Sequence, residues 1–256
     1  MQQSFPSGYV QSVTENNITT IEFYHPQSNS LPGNLLVELA KAIQTAGEVN
    51  ESAVIVLKSH GNKTFCAGAS FDELLQIKTE AEGLVFFSGF AKVINAIRCC
   101  PKFVVAPIQG KCVGGGVGLA AAADYAIATE AADVKLSELA VGIGPFVVGP
   151  AVERKIGSSA FQALSIDAST WRSSEWAYAK GLFAELHPSI EEMEKSVAKL
   201  AHTLSHSSPL AMEALKKTCW KGTEHWNELL LERAAISGKL ILSDFSKKAI
   251  EQFKAK

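Results

Sequence analysis

The chain has 256 residues, enough for one large domain, or one and a half, with a substantial core, and its 47% hydrophobic fraction is ordinary for a globular protein. With 24 basic and 26 acidic residues the net charge is −2, which argues against nucleic acid or an anionic membrane surface as partner. The longest apolar run, Cys112 to Ala123, is about half the ~20 residues a bilayer span requires, so no membrane segment is expected.

Two strand-like runs, Tyr9 to Thr14 and Ile18 to Phe23, flank Glu15-Asn16-Asn17 and predict a hairpin. Leu35, Leu39, Ala42, Ile43 and Ala46 recur at helical spacing, and Val54 to Leu57 reads as a buried strand. Thr64-Phe65-Cys66-Ala67-Gly68-Ala69 leads into Ser70-Phe71-Asp72-Glu73, whose S-x-x-E form predicts a helix start just after Ala69. A longer helix runs from about Glu80 to Arg98 and stops before Pro101. The pattern then repeats: strand Phe103 to Ile108, a glycine-rich turn, helix Val117 to Ala123, strand Asp124 to Ala128.

Beyond Val147 helices dominate, over about Val148 to Ile156, Ala160 to Ile166, Ser173 to Gly181, Ile190 to Leu204, Leu210 to Trp220 and Trp226 to Ser237. Strand-helix alternation followed by helices predicts an α/β fold. Gly222 and Asp244 bound a detached C-terminal helical piece. Its last segment, Phe245 to Lys256, is basic and has an apolar face of Phe245, Ala249, Ile250 and Phe253 that needs a partner.

Five cysteines, at 66, 99, 100, 112 and 219, form an odd set without C-x-x-C spacing and read as reduced thiols in a cytosol-like compartment. Cys66 and Cys112 have no nearby histidine to activate them and are expected to pack. Met1 to Val10 lacks the basic start and apolar core of a signal peptide, so a cytoplasmic location is expected.

The chemistry concentrates in Lys111-Cys112-Val113-Gly114-Gly115-Gly116-Val117-Gly118-Leu119. Consecutive glycines imply that something approaches the backbone closely, whether a ligand or a packed helix, and a glycine turn opening a helix offers free N–H groups to negative charge. Ala69 and Gly115 both sit at strand-to-helix corners. If parallel neighbouring strands carry them, their amides converge as an oxyanion hole. A larger residue at Gly115 is then expected to crowd the oxyanion while leaving the fold intact. A third element, Ser137-Glu138-Leu139-Ala140-Val141-Gly142, sets one carboxylate before an apolar turn, where burial raises its pKa toward neutrality.

Thr64 to Ala69, Val113 to Leu119 with Asp124 following, and Glu138 to Gly142 resemble, in order and interval, the three signatures of the crotonase (enoyl-CoA hydratase/isomerase) family, and the likeness of layout extends over nearly the whole chain. The resemblance implies a crotonase-like stacked ββα spiral over residues 1–190 and a helical C-terminal trimerisation region over 191–256. It implies an acyl-CoA substrate, its thioester oxygen held by the amides of Ala69 and Gly115, with Glu138 moving a proton beside it. Ala67, Phe71, Gly114, Gly118, Phe146 and Phe253 are the expected substrate contacts, Phe253 and nearby lysines closing over CoA from a neighbouring subunit of a trimer or hexamer. No metal and no cofactor is expected, CoA being part of the substrate.

One position departs from the family. Hydratases usually carry a second glutamate two residues after the glycine triplet, and here that residue is Gly118. A single carboxylate suffices for a 1,3-proton shift, whereas adding water is better served by two. The run from Ser137 to Pro150 is nonetheless similar to methylglutaconyl-CoA hydratases, so both reactions stay open, as do decarboxylation, hydrolysis and non-catalytic acyl-CoA binding. The acyl pocket is expected to include Phe71, Leu74, Phe86, Phe87, Phe146 and Val147.

Other residues read more plainly. His60 belongs to a surface turn or contacts CoA; Asp72 and Glu73 serve a helix N-terminus; Trp171 and Trp176 pack. Lys216, Lys217, Lys247, Lys248, Lys254 and Lys256 are solvated lysines or phosphate contacts. The chain has no G-x-S-x-G, no G-x-x-x-x-G-K-[ST], no G-x-G-x-x-G after a strand and no H-E-x-x-H, which removes support for serine hydrolases, P-loop NTPases, dinucleotide-binding dehydrogenases and zincins.

Overall fold

A computed structural model describes residues 8–254, so Lys256 and the Lys254 side chain lie outside it, as do the first seven residues of the segment read against a signal peptide. The chain opens with β1 (Tyr9–Glu15) and β2 (Ile18–Tyr24), joined by Asn16 and Asn17 at φ 51° and 63°. Two successive left-handed residues make the hairpin turn whose twist suits the strands. Helix α1 (Gly33–Glu48) buries Leu35, Leu39, Ile43 and Ala46, the stripe read from spacing.

Three strand-strand-helix layers follow. The first holds β3 (Val54–Ser59), β4 (Thr64–Cys66), the short α2 (Phe71–Leu74) and α3 (Glu80–Cys99). The second holds β5 (Phe103–Ile108), β6 (Lys111–Val113) and α4 (Gly115–Ala122), and the third β7 (Tyr125–Thr129), β8 (Val134–Lys135) and α5 (Gly149–Ile166). In each layer the first strand joins a large sheet and the second a small one. The large sheet has order β1-β2-β3-β5-β7-β9, parallel apart from the β1/β2 hairpin; the small one is β4-β6-β8, all parallel. This is the stacked spiral that the resemblance implied.

The chain ends with α6 (Ser174–Ala179), β9 (Glu185–His187), α7 (Ile190–Ser205), α8 (Pro209–Cys219), α9 (Trp226–Leu240) and α10 (Asp244–Lys254). β6, β8 and β9 are additions to the sequence reading: two or three residues each carry too little alternation to announce a strand. Gly157, at φ 77°, breaks α5 into the two segments expected.

The central strands of the large sheet, β3, β5 and β7, are buried on both faces. Ile55 and Leu57 of β3 face the main core, while Val54 and Val56 join Val105 and Ile127 beneath Met193, Val197 and Ala201 of α7. That alternation is the two-residue period of a strand. The piece after Gly222 is not detached: Trp226, Leu230, Ala234, Ile241 and Ile250 belong to the main core, and α9 lies on α3 so closely that a Cβ on Gly83 would meet Gly238 Cα at 2.6 Å.

Two charged groups correct the sequence reading. Ser70 Oγ accepts from the Glu73 N–H, as the motif predicts, but the Glu73 carboxylate accepts from Gly33 N–H at 2.7 Å, so it caps α1 instead of its own helix. The reciprocal capping box stands at Thr79 and Glu82, at the head of α3. Lys216 is neither solvated nor free for a phosphate. It is 2% exposed, with Nζ 2.8 Å from Asp124 Oδ2. Asp124 also accepts from Val104 N–H at 2.7 Å and Trp220 Nε1 at 2.8 Å, tying β5 and α8 together.

Candidate active site

The three candidate catalytic positions come from one place in the fold. Ala69 follows β4, Gly115 follows β6 and Glu138 follows β8, the three neighbouring strands of the small parallel sheet. Their carboxyl ends open on one side, the usual location of a ligand in parallel α/β structures. β4 and β6 pair at Cys66 and Cys112, so the two corners lie together: a Cβ on Gly68 would stand 3.2 Å from Gly115 N.

Neither the Ala69 nor the Gly115 N–H has a hydrogen-bond partner among the described residues, although Leu31 bonds to both neighbours of Ala69, through Gly68 O and Ser70 N. For Gly115 the cause is its position as first residue of α4, where an N–H has no intrahelical acceptor. Gly114, at φ 52°, turns the chain into that helix. Both donors border a cavity of about 60 Å³ whose wall includes Ala67, Phe71, Phe87, Phe90, Glu138 and Phe146.

Glu138 heads a single 3₁₀ turn, Leu139–Val141, closed by Gly142 at φ 77°. Val141 N–H and Ile143 N–H both donate to Glu138 O, at 3.2 and 2.9 Å, which fixes the backbone. The carboxylate lies beside the glycine turn, since a Cβ on Gly114 would stand 3.1 Å from its Oε1. Part of the residue is reached from the cavity, but Oε2 is buried without a partner. Burial pushes the Glu138 carboxyl up to about 7, against a smaller opposing pull from its own backbone N–H. Among the described residues lining the cavity it is the sole ionisable group.

The glycines of the cluster are required by protein atoms. A Cβ on Gly115 would collide with the Phe90 ring, one on Gly116 with the Cys66 carbonyl, and one on Gly118 with the Val148 side chain. The expectation that bulk at Gly115 leaves the fold intact is therefore corrected: Phe90 is 4% exposed, and its ring would have to be displaced into the cavity it borders. Gly118 does not border the cavity. Val148 does, and it fills the space next to the position where a second glutamate would start.

The remaining assignments divide. Ala67, Phe71, Gly114 and Phe146 border the cavity, with Leu74, Phe87 and Val147 of the expected acyl wall; Phe86 does not, facing a groove between α1 and α3. Phe90, Val148 and Ser237 were missed. Phe90 was readable as i+3 from Phe87 on one helical face, whereas Ser237 arrives from α9 and left no local signal. Phe253 does not line the cavity but meets Phe71 edge-on at 6.4 Å, and Phe245 and Ser246 rest on Gly142. The helix that was to close over CoA from a neighbour thus lies against its own chain. Cys66 and Cys112 are buried, and burial lifts the Cys66 thiol to about 12, which makes both packing residues. His60 and both tryptophans lie away from the cavity, Trp171 under the ammonium groups of Lys111 and Lys135. No cluster of three His, Cys, Asp or Glu residues fit for a metal occurs among the described residues.

Stacked strand-strand-helix layers that aim two free amides and one neutral-range carboxyl at an apolar cavity define a protein suited to polarising a carbonyl and moving a proton beside it. The chain belongs to the enoyl-CoA hydratase/isomerase family, whose model matches residues 13–256. It is 31% identical over 200 residues to the human mitochondrial methylglutaconyl-CoA hydratase, covering 77% of this chain and 58% of that one. It is 26% identical over 238 residues to the peroxisomal Delta(3,5)-Delta(2,4)-dienoyl-CoA isomerase of Arabidopsis thaliana, covering 87% and 84%. An enoyl-CoA hydratase structure from Bacillus halodurans superposes with a TM-score of 0.87 over 95% of this chain and 99% of that one, at 24% identity, a likeness of fold.

Proposed function

We propose that this enzyme acts on a short or branched enoyl-CoA and moves its double bond by a proton shuttle through Glu138. The thioester oxygen accepts from the N–H groups of Ala69 and Gly115. The Glu138 carboxylate takes the α-proton of a 3-enoyl thioester, and the electrons of that C–H bond delocalise into a dienolate. Protonated Glu138 exchanges its proton with solvent and delivers a proton to the γ-carbon, giving the 2-enoyl thioester and regenerating the carboxylate. A pKa near 7 lets one group serve in both directions.

The observation that carries this reading is the solitary carboxylate. Among the described residues on the cavity wall Glu138 is the one ionisable group, and Val148 occupies the space beside Gly118, so no second carboxylate among them is placed to hold an attacking water. Hydration is the second reading, favoured by the likeness to methylglutaconyl-CoA hydratase. Under either reading Phe71 and Phe253 flank the pantetheine, no cofactor is needed beyond the CoA of the substrate, and the protein works as a homo-oligomer in the cytoplasm.

The test incubates a 3-enoyl-CoA and a 2-enoyl-CoA separately with enzyme in D₂O and follows both by NMR. The reading expects the double bond to shift and deuterium to enter at Cα and Cγ. Accumulation of 3-hydroxyacyl-CoA at a comparable rate would replace it with hydration.

A further inference from the structure

We infer, resting on the acyl-CoA reading above, that the acyl group is short and uncharged at its far end, so that an acid-bearing thioester such as methylglutaconyl-CoA is excluded from the pocket. Three observations carry this. The cavity measures about 60 Å³, whereas the grooves on the outside of the molecule measure 260 to 770 Å³. Its inner wall is formed by Phe87, Phe90 and Val148, all at most 8% exposed. Phe90 and Val148 stand against Gly115 and Gly118, so neither can recede toward α4. An acyl tail of only a few carbons fits without displacing a ring.

The second observation is charge. Among the described residues that line the cavity there is no lysine, arginine or histidine, and the side-chain hydroxyls are those of Ser137 and Ser237. Lys135, two residues before Ser137 in sequence, is engaged elsewhere, over the Trp171 ring at 4.6 Å. A carboxylate carried into this wall loses its water and gains no cation.

The third is Glu138 itself. Its Oε2 is already without a partner, and it must be ionised to take a proton. A second negative charge brought into the same small cavity opposes that ionisation. The pocket therefore penalises an acid-bearing acyl group both at binding and at the chemical step.

The test uses a matched pair, 3-methylcrotonyl-CoA and 3-methylglutaconyl-CoA, which differ by one carboxylate. Kd is measured by calorimetry, and γ-proton exchange in D₂O by NMR. The uncharged thioester should bind at least tenfold more tightly and exchange with a kcat/KM at least ~10²-fold higher. Equal or better binding and exchange of the acid-bearing thioester overturns the inference. If both bind but neither exchanges, the proton-shuttle reading fails, and the ratio of the two Kd values still decides the pocket claim. Binding of neither overturns both. As a check on length, Phe87→Ala, or Val148→Ala if that variant does not fold, should raise the affinity for decenoyl-CoA relative to 3-methylcrotonyl-CoA. No change in that ratio overturns the assignment of the wall.

Discussion

Replacing Glu138 by glutamine tests the site without reference to any substrate. The carboxyl titrates at about 7 in the folded chain against an ordinary 4.5, because burial disfavours its charged form. The folded state therefore holds this proton more tightly than the unfolded state. Below about pH 4.5 both states are protonated and burial of the charge costs nothing. As pH rises from 4.5 to 7 the folded state loses stability, and above 7 the loss is complete. A difference of about 2.5 units at 1.36 kcal/mol each corresponds to roughly 3 kcal/mol. Glutamine keeps the shape and abolishes the titration, at some pH-independent cost from an amide without partners. The quantity to follow is thus the difference in stability between Glu138→Gln and the parent chain as a function of pH. It should swing by about 3 kcal/mol in favour of glutamine between pH 4.5 and 8, or roughly 6 to 12 °C in relative Tm for a chain of this size. Urea or thermal unfolding by circular dichroism at matched pH values measures it. A flat difference would refute the claim that the carboxylate is buried and unpaired, and with it the reason for its proton affinity. In the same variant turnover should fall by about 10²- to 10⁴-fold with acyl-CoA affinity retained.

Three further outcomes follow from the glycine turn and the polar core. Gly115→Ala should destabilise the chain by about 1 to 3 kcal/mol, and a second change, Phe90→Leu, should recover most of it in denaturant melts, because the added methyl meets that ring. Gly118→Glu alone should fail to fold stably or form no 3-hydroxyacyl-CoA, whereas Gly118→Glu with Val148→Gly should raise 3-hydroxyacyl-CoA formation relative to isomerisation, read by NMR in D₂O. Lys216→Met should lower unfolding free energy by about 3 kcal/mol, since it leaves the 8% exposed Asp124 carboxylate with neutral donors only.

The parts of this molecule that were legible before the structure are those governed by local rules. The hairpin follows from two asparagines able to take left-handed φ, and α1 from a stripe at helical spacing. The layers follow from strand and helix signals that recur in order. The site was legible to the extent that Ala69 and Gly115 sit at corners before helices; that Glu138 follows a third strand of the same small sheet was not. What could not be read depends on which element lands on which. Lys216 stands beside Lys217 in sequence with nothing to mark it as buried, and only the return of α8 to β5 buries it on Asp124. Glu73 satisfies the motif for its own helix yet caps α1, a choice made by tertiary packing. Ser237 enters the cavity because α9 and α3 meet at two glycines distant in sequence.

The glycine cluster illustrates how a correct inference of close approach can misname what approaches. Each glycine from 114 to 118 is answered by a protein group: the Glu138 carboxylate at Gly114, the Phe90 ring at Gly115, the Cys66 carbonyl at Gly116 and the Val148 side chain at Gly118. Two of these, Phe90 and Val148, also form part of the wall of the cavity, and a third, Glu138, is the ionisable group on that wall. The same missing side chains that leave the Gly115 N–H open to a ligand therefore also bring the walls and the carboxylate within reach of it. Packing and chemistry at this turn are not separable, because a methyl group added at Gly115 or Gly118 would displace Phe90 or Val148, both of which shape the cavity.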